Sequence, residues 1–367
     1  MRQPLSDSPS EAKPSAVRRW LRNPLLAPFN QPREWERLLA PIAATWSWSE
    51  PLARVVRVVE EAPGVRSIWL RPNRRFAGFR PGQHLMLELD IDGAHHARCF
   101  SVSTAPRGDR LLRLTIRQQI DGRVTGAAHA LKPGQVVRIS QAQGSFAPKD
   151  DHAPLLLISA GSGVTPMMSL LLGMAGSGST RDIVVVHCGR GAADTVFAAE
   201  LTALAERWPE LALRLHDSEK DRRLDAAAIV ASVPDWAQRE ALVCGPAEFM
   251  QMVSAHYAAA GRSTQLQCES FGRSAAAIDT LAAEHDIRVE ESEQLFTAKA
   301  GQSLLDAAEA AGLTPKFGCR RGICRTCQCR KRSGNVLNLL TGELSGSGDE
   351  LIQLCVSTPQ SAVELAL

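Results

Sequence analysis

The 367-residue sequence predicts a multidomain chain: an antiparallel β-barrel, then an α/β unit on a parallel sheet, then a small C-terminal unit gathered round clustered cysteines. Three observations carry this. Between Leu52 and Pro148, short β-rich segments such as RVVRVVE, SIWLRP, HLMLELDI, RCFSVST, LLRLTIRQ and QVVRISQA are separated by Gly- and Pro-bearing turns, the pattern of a closed antiparallel sheet. From Leu155 the rhythm changes. Buried-looking strands (LLLISA, DIVVVHCG, LALRLHDS, ALVCGP) alternate with helical stretches such as TPMMSLLLGMA, which calls for a parallel sheet covered by helices. Finally, five of the nine cysteines fall after Asp286.

The units follow in order. Residues 1–49 form an extension with a polar start, MRQPLSDSPSEAKPS, followed by AVRRWLRNPLLAPF and REWERLLAPIAATWSW, which mix basic residues with Trp and Leu. Pro24, Pro28, Pro32 and Pro41 divide it into short helices. Such a segment either rests on an anionic membrane surface or packs against the barrel. The barrel occupies 50–150, the α/β unit 151–272, a linker 273–285 and the cysteine-bearing unit 286–367.

Composition narrows the function classes. With 44% hydrophobic and 22% charged residues the chain is globular, and no apolar run approaches the roughly 18 residues that cross a bilayer. The start lacks the apolar core of a signal peptide, so a cytoplasmic location is expected, at most touching the inner face of the membrane. A net charge of +3 argues against nucleic-acid binding. In a reducing compartment clustered cysteines read as metal ligands rather than disulfides.

Cys319, Cys324 and Cys327 form C-x4-C-x2-C, and Cys355 follows in QLCVSTP. This is the plant-type spacing for a 2Fe-2S cluster held by four thiolates. Gly318 and Gly322 let the loop wrap the inorganic core. A zinc site would pair one C-x2-C knuckle with another, and no second one is present. Cys329 reads as a strand residue facing a small core. The flanking text, LFTAKAGQSLLDAAEAAGL before the loop and LIQLCVSTPQSAVEL after it, resembles a β-grasp ferredoxin domain. Arg325 departs from that pattern, because many plant-type ferredoxins carry a small residue after the second cysteine.

Upstream, Arg98-Cys99-Phe100-Ser101, preceded by Pro81 to His84 (PGQH), resembles the RxYS flavin motif of the ferredoxin-NADP reductase superfamily. The resemblance implies that Arg98 pairs with flavin phosphate and that Ser101 lies near the isoalloxazine N5. Phe100, in place of Tyr, stacks without a phenolic hydrogen bond. Gly122-Arg123-Val124-Thr125 resembles the second flavin-phosphate segment, with Val124 and Thr125 near phosphate and Thr125 capping a helix. Gly161-Ser162-Gly163-Val164-Thr165-Pro166 follows a strand and opens a helix, and resembles the GxGxxP nicotinamide segment, so Gly161, Gly163, Thr165 and Pro166 are expected at the dinucleotide. Cys244-Gly245-Pro246 resembles the segment that places a cysteine beside the nicotinamide C4. Arg190 falls on the adenosine side. No acidic residue follows its strand at once, which favours NADPH and leaves NADH open. Glu269 and Phe271, in CESFG, fall where related reductases end the nucleotide domain beside the flavin; Phe271 either stacks there or fills the core.

The resemblance covers about residues 50–367. It implies a reductase passing electrons from NADPH through FAD and a 2Fe-2S cluster to an external acceptor, with Ser101 and Cys244 at the point of hydride transfer. Hydride carries two electrons and the cluster one, so the flavin converts between them. The extension, the RCFS variant and LCVSTP resemble the NADPH-dependent partners of bacterial stearoyl-CoA desaturases. The stretch 316–332 holds Lys316, Arg320, Arg321, Arg325, Arg330, Lys331 and Arg332 without one acidic residue, and so favours an acidic acceptor face. The implied acceptor is therefore a membrane fatty-acyl desaturase. Two alternatives stand beside it: the reductase of an aromatic-ring or amine oxygenase, using NADH or NADPH, and a redox-sensing module without turnover.

Overall fold

The computed structural model describes residues 45–47, 50–120, 122–221, 224–270, 283–318, 320, 322, 325–339 and 344–367. The expectations placed on most of the N-terminal extension, on Phe271 and on Cys319, Arg321 and Cys324 lie outside these residues.

Six strands form the first unit: β1 (Leu52–Ala62), β2 (Val65–Pro72), β3 (His84–Ile91), β4 (Ala94–Ser101), β5 (Leu112–Arg117) and, after helix α1 (Arg123–His129), β6 (Val136–Ile139). Their order is β4-β3-β6-β1-β2-β5, every pair antiparallel. A bridge between Val102 and Leu114 joins the two outer strands and closes the barrel, which removes its open edges. Period-two alternation drives the closure: Ala53 and Val55 face inward while Arg54 and Arg57 stay exposed. Ile68, Leu70, Leu85, Leu87, Leu112 and Leu114 fill the interior. Each such burial contributes about 1.5–3 kcal/mol.

The second unit runs β7 (Leu155–Ala160), a 3-10 turn (Gly161–Gly163), α2 (Val164–Gly176), β8 (Ile183–Gly189), α3 (Gly191–Asp194), α4 (Ala198–Arg207), β9 (Leu211–Asp217), α5 (Ala226–Ser232), β10 (Glu240–Cys244), α6 (Ala247–Ala259) and β11 (Leu266–Glu269). The sheet is parallel, in the order β11-β10-β7-β8-β9. Its strands are apolar on both faces. Leu155, Leu157, Ile183 and Val185 enter one layer, and Leu156, Ile158, Val184 and Val186 the other. The chain winds outward from β7 to β9, then returns to β10 on the other side of β7. That reversal leaves a crevice at the carboxyl ends of β7 and β10, where sheets of this kind bind ligands.

The third unit holds β12 (Glu284–Val289), β13 (Leu295–Lys299), α7 (Leu304–Ala310), β14 (Gln328–Ser333), β15 (Val336–Asn338), β16 (Glu350–Gln353), β17 (Ser357–Pro359) and β18 (Val363–Ala366). The mixed sheet runs β13-β12-β18-β14-β16, with β12 and β18 parallel, and α7 packs on it. This is the β-grasp arrangement. Ser303 caps α7, its hydroxyl accepting from Asp306 N at 3.1 Å. β12 begins at Glu284, inside the stretch read from the sequence as linker.

Candidate functional site

The crevice is lined first by backbone. A Cβ at Gly163 would lie 2.1 Å from the carbonyl oxygen of Cys244, so the turn after β7 rests directly on the end of β10 and only glycine permits it. Gly161 adopts φ +54°, which aims the turn into α2. Thr165 donates its hydroxyl to Ser162 O at 3.0 Å, and Pro166 stands in the first turn of α2, where its missing N–H costs nothing. Gly245 is held off by Phe249 and Ala160: a Cβ there would come within 2.9 Å of the Phe249 ring. Cys244 is fully buried, in register with Ser159 on one side and Glu269 on the other. Beneath the turn, Ser159 Oγ and His187 Nδ1 are 2.9 Å apart. Burial pushes the His187 imidazole down to about 4, so it is neutral at physiological pH.

The barrel meets this crevice through β3 and β4. Ser101 is opposite His84 in the ladder, and both are buried. Glu269, at the end of β11, reaches across from the nucleotide unit: its Oε1 is 3.1 Å from His84 Nδ1, and its Oε2 accepts from the Ser101 hydroxyl at 3.5 Å. Gly144 packs against the His84 ring, where a Cβ would come within 2.9 Å. His84 Nε2 is buried without a hydrogen-bond partner among the described residues. In the sequence Glu269 reads as the end of the nucleotide domain beside the flavin and His84 as the last residue of PGQH, and nothing there pairs the two. A histidine beginning a strand, 185 residues from its carboxylate, carries no local signal of that pairing.

Arg98 is exposed on β4, its Nη1 donating to Ala97 O at 2.8 Å, and Phe100 packs partly buried against the barrel core. Val124 is buried in α1. Thr125 does not cap that helix, contrary to expectation. The N-cap is Gly122, and the Thr125 hydroxyl instead donates to Gly122 O at 3.0 Å and accepts from Gln119 N at 3.1 Å, holding the entry loop closed. An exposed guanidinium on β4, an uncapped start to α1 and a buried serine at the end of β4 are groups that suit the phosphates and ring edge of a flavin dinucleotide. A bound flavin accepts hydride and releases electrons singly.

Arg190 is exposed in the turn between β8 and α3. No carboxylate follows the strand at once, Asp194 coming four residues after Arg190, but the end of β9 and the turn after it bring two close in space. Asp217 Oδ1 accepts from Gly191 N at 2.8 Å and Glu219 N at 3.0 Å, and these main-chain donors hold its carboxyl below the usual range. The Glu219 carboxylate stands over Gly191, 2.6 Å from where a Cβ would be.

In the third unit Cys327 and Cys355 face one another, their sulfurs 3.2 Å apart, and Gly322 N donates to Cys355 Sγ at 3.2 Å. Facing thiols with a main-chain donor aimed at one of them suit a corner of an iron–sulfur cage. Cys329 points elsewhere: its thiol donates to Ala366 O at 3.3 Å, and burial pushes it up to about 11.

The basic stretch is largely neutralised by acids from other elements. Arg320 forms a paired contact with Glu309, approaches Asp306 at 3.4 Å and stacks on Phe317. Arg330 and Arg332 share Asp349, and Arg332 also holds Glu290. Lys331 is fully buried, donating to the carbonyls of Gly334, Gly346 and Gly348 at 2.8, 3.0 and 2.6 Å and pairing with Glu350 at 3.3 Å. Four of the seven cations therefore present no free positive face, and the argument for a desaturase loses that support. Among the described residues no helix is long and apolar enough to cross a membrane.

Comparison with known proteins gives each unit its identity. Residues 62–147 match the oxidoreductase FAD-binding domain, 157–255 the oxidoreductase NAD-binding domain and 287–360 the 2Fe-2S iron-sulfur cluster binding domain. The chain is 33% identical to an NADPH oxidoreductase of Mycobacterium tuberculosis, with 89% of this chain and 86% of the relative covered. It is 30% identical to the ferredoxin reductase component of a 3-ketosteroid-9-alpha-monooxygenase of Mycolicibacterium smegmatis, covering 84% of this chain and 94% of the relative. A glycine betaine monooxygenase reductase subunit of Chromohalobacter salexigens is 28% identical, with 88% and 96% covered. The solved phthalate dioxygenase reductase shares the fold, with a TM-score of 0.58 at 21% identity over 86% of this chain and 97% of that one. The steroid and glycine betaine relatives, named by their partners, serve monooxygenases, and this overturns the desaturase acceptor inferred from the sequence. The chain belongs to the family of NAD(P)H-dependent oxidoreductases that join an FAD-binding barrel, an NAD-binding domain and a C-terminal 2Fe-2S domain.

Proposed function

We propose that this chain is the reductase component of a multicomponent oxygenase, taking hydride from NADPH in preference to NADH and delivering single electrons to a separate oxygenase protein. The observation that carries this reading is likeness along most of the chain to oxygenase reductases, at 84–88% coverage, rather than to one domain of them. Arg98 and the start of α1, at Val124 and Thr125, hold the flavin phosphates. Phe100 and Ser101 lie along the ring. Gly161, Gly163, Thr165 and Pro166 receive the dinucleotide, with Cys244 and Gly245 at the nicotinamide and Arg190 at the adenosine end. Phe271 adjoins the flavin. Cys319, Cys324, Cys327 and Cys355 hold the cluster. His84 keeps the Glu269 carboxylate turned toward Ser101, so that exchangeable protons stand beside the reacting edge. The NADPH preference rests on the exposed Arg190, and Asp217 and Glu219 moderate it.

The test is reconstitution with purified oxygenase components of the ring-hydroxylating and amine-demethylating kinds, following product formation and NADPH consumption. Unaltered protein should support turnover with one of them. Cys324→Ser should abolish it while ferricyanide reduction by NADPH survives, because the flavin and nucleotide units have cores separate from that of the third unit. Absence of electron transfer to every oxygenase component, despite brisk ferricyanide reduction, would reject the assignment.

A further inference from the structure

In β5 the alternation Leu112, Leu114, Ile116 faces the barrel core, which leaves Arg113, Thr115 and Arg117 on the outer face. That face should be wet. Instead Arg113 is 4% exposed, because the nucleotide unit covers it. Its Nε and Nη2 donate to Ser103 O at 3.1 and 2.6 Å, and its Nη1 donates to Glu200 Oε2 of α4 at 2.8 Å. The guanidinium lies 4.4 Å from the centre of the Phe197 ring and 5.4 Å from Trp69. Phe197, a non-glycine residue at φ +62°, opens α4 in the left-handed region, and this strained backbone sets the ring against the guanidinium. Four residues further along β5, on the same face, Arg117 pairs with Asp194 of α3 at 2.7 Å, both half-buried.

One set of partners lies beside the reacting flavin edge and the other beside the adenosine end of the dinucleotide as assigned above. Ser103 is two residues beyond Ser101. Asp194 ends the short helix that follows the Arg190–Gly191 turn, and neighbouring Thr195 donates to Gly191 O at 2.8 Å. The same residue meets the open face of Gly189, where a Cβ would lie 2.2 Å from its hydroxyl oxygen. We propose that Arg113 and Arg117 are positioning residues for hydride transfer: a two-point clamp from the flavin barrel that fixes the dinucleotide half in register with Ser101. A joint serving stability alone would be as well made from apolar side chains, since a buried ion pair gives little net stabilisation over them. What the guanidinium fork adds is direction, through planar, multidentate bonds that a lysine cannot reproduce. Hydride transfer needs that direction, because a displacement of about 1 Å costs about a hundredfold in rate.

The inference rests on the flavin and dinucleotide assignment above. Its test uses the full flavin-loaded chain with Arg113→Lys, Arg113→Met and Arg117→Gln. Four quantities are measured: affinity for FAD, affinity for NADP+, the rate of flavin reduction at saturating NADPH, and the long-wavelength absorbance of stacked flavin and nicotinamide. Arg117→Gln should bind both ligands as before, reduce its flavin about tenfold or more slowly, and lose part of that absorbance. Arg113→Lys should keep the charge and fail to restore the rate. Adding Asp194→Asn to Arg117→Gln should cost nothing further. A lowered melting temperature with rate and absorbance unchanged would overturn the clamp and leave a purely structural joint; should Arg113→Met not fold, the half-exposed Arg117 variant decides alone. Failure of the unaltered chain to reduce flavin with either dinucleotide is a different outcome, which overturns the cofactor reading and the clamp with it.

Discussion

Arg190 is the residue whose consequence can be isolated most simply. It is exposed, makes its turn with Gly191, and has the Asp217 and Glu219 carboxylates nearby. If it contacts a 2′-phosphate, Arg190→Ala should weaken NADPH by about 1.5–3 kcal/mol and leave NADH nearly untouched, so that the ratio of the two dissociation constants narrows or inverts. Equal losses for both would assign Arg190 to the shared part of the dinucleotide. The neighbouring acids show where reading from sequence stops. Immediately after β8 the local text has no carboxylate before Asp194; the end of β9 and the turn after it supply Asp217 and Glu219 from 27 and 29 residues further on, and only the parallel pairing of β8 with β9 makes them neighbours. His84 and Arg113 were illegible for the same reason. One reads as the end of a PGQH turn and the other as a polar residue in an apolar strand, and the partner of each lies in the other half of the molecule. The sole local clue was an arginine between Leu112 and Leu114.

Elements were more legible than contacts, because alternation and turn chemistry act over a few residues. All six segments read as barrel strands form strands, as do LLLISA, DIVVVHCG, LALRLHDS and ALVCGP. The three-residue strands β15 and β17 have too little period to be seen. The cysteine spacing exposed the cluster unit, whereas the run of cations around it misled. In β14, Arg330, Lys331 and Arg332 look alike in sequence but alternate in the sheet: the arginines stay half exposed on Asp349 and the lysine enters the interior. Their substitutions should separate accordingly. Lys331→Ala strands the Gly334, Gly346 and Gly348 carbonyls and should cost the third unit about 3–5 kcal/mol, while Arg330→Ala should cost less than about 1 kcal/mol. Thermal loss of the cluster's visible absorbance measures both, and equal effects would show that Lys331 is not buried as described.

At the scale of the whole molecule, the flavin and nucleotide units are joined on two flanks: Glu269 reaches into the barrel at His84 and Ser101, and Arg113 and Arg117 reach out of it to Glu200 and Asp194. Ser169 of α2 adds a third link, donating to Thr104 O at 2.8 Å. The sequence showed that there were two such units and in which order; it could not show the seam, because every bond in it spans dozens of residues. That seam has a kinetic meaning. A protein that must open to admit its ligand forfeits affinity in proportion to how seldom it is open, and its observed binding rate levels off at the rate of opening. If the dinucleotide enters the crevice at the carboxyl ends of β7 and β10, halves held together at these points would receive it without an opening step, and no such forfeit would apply. Rapid mixing of NADP+ with the oxidised protein should therefore give an association rate that climbs in proportion to nucleotide concentration throughout the accessible range, and a plateau would reveal an opening step that these contacts do not accommodate.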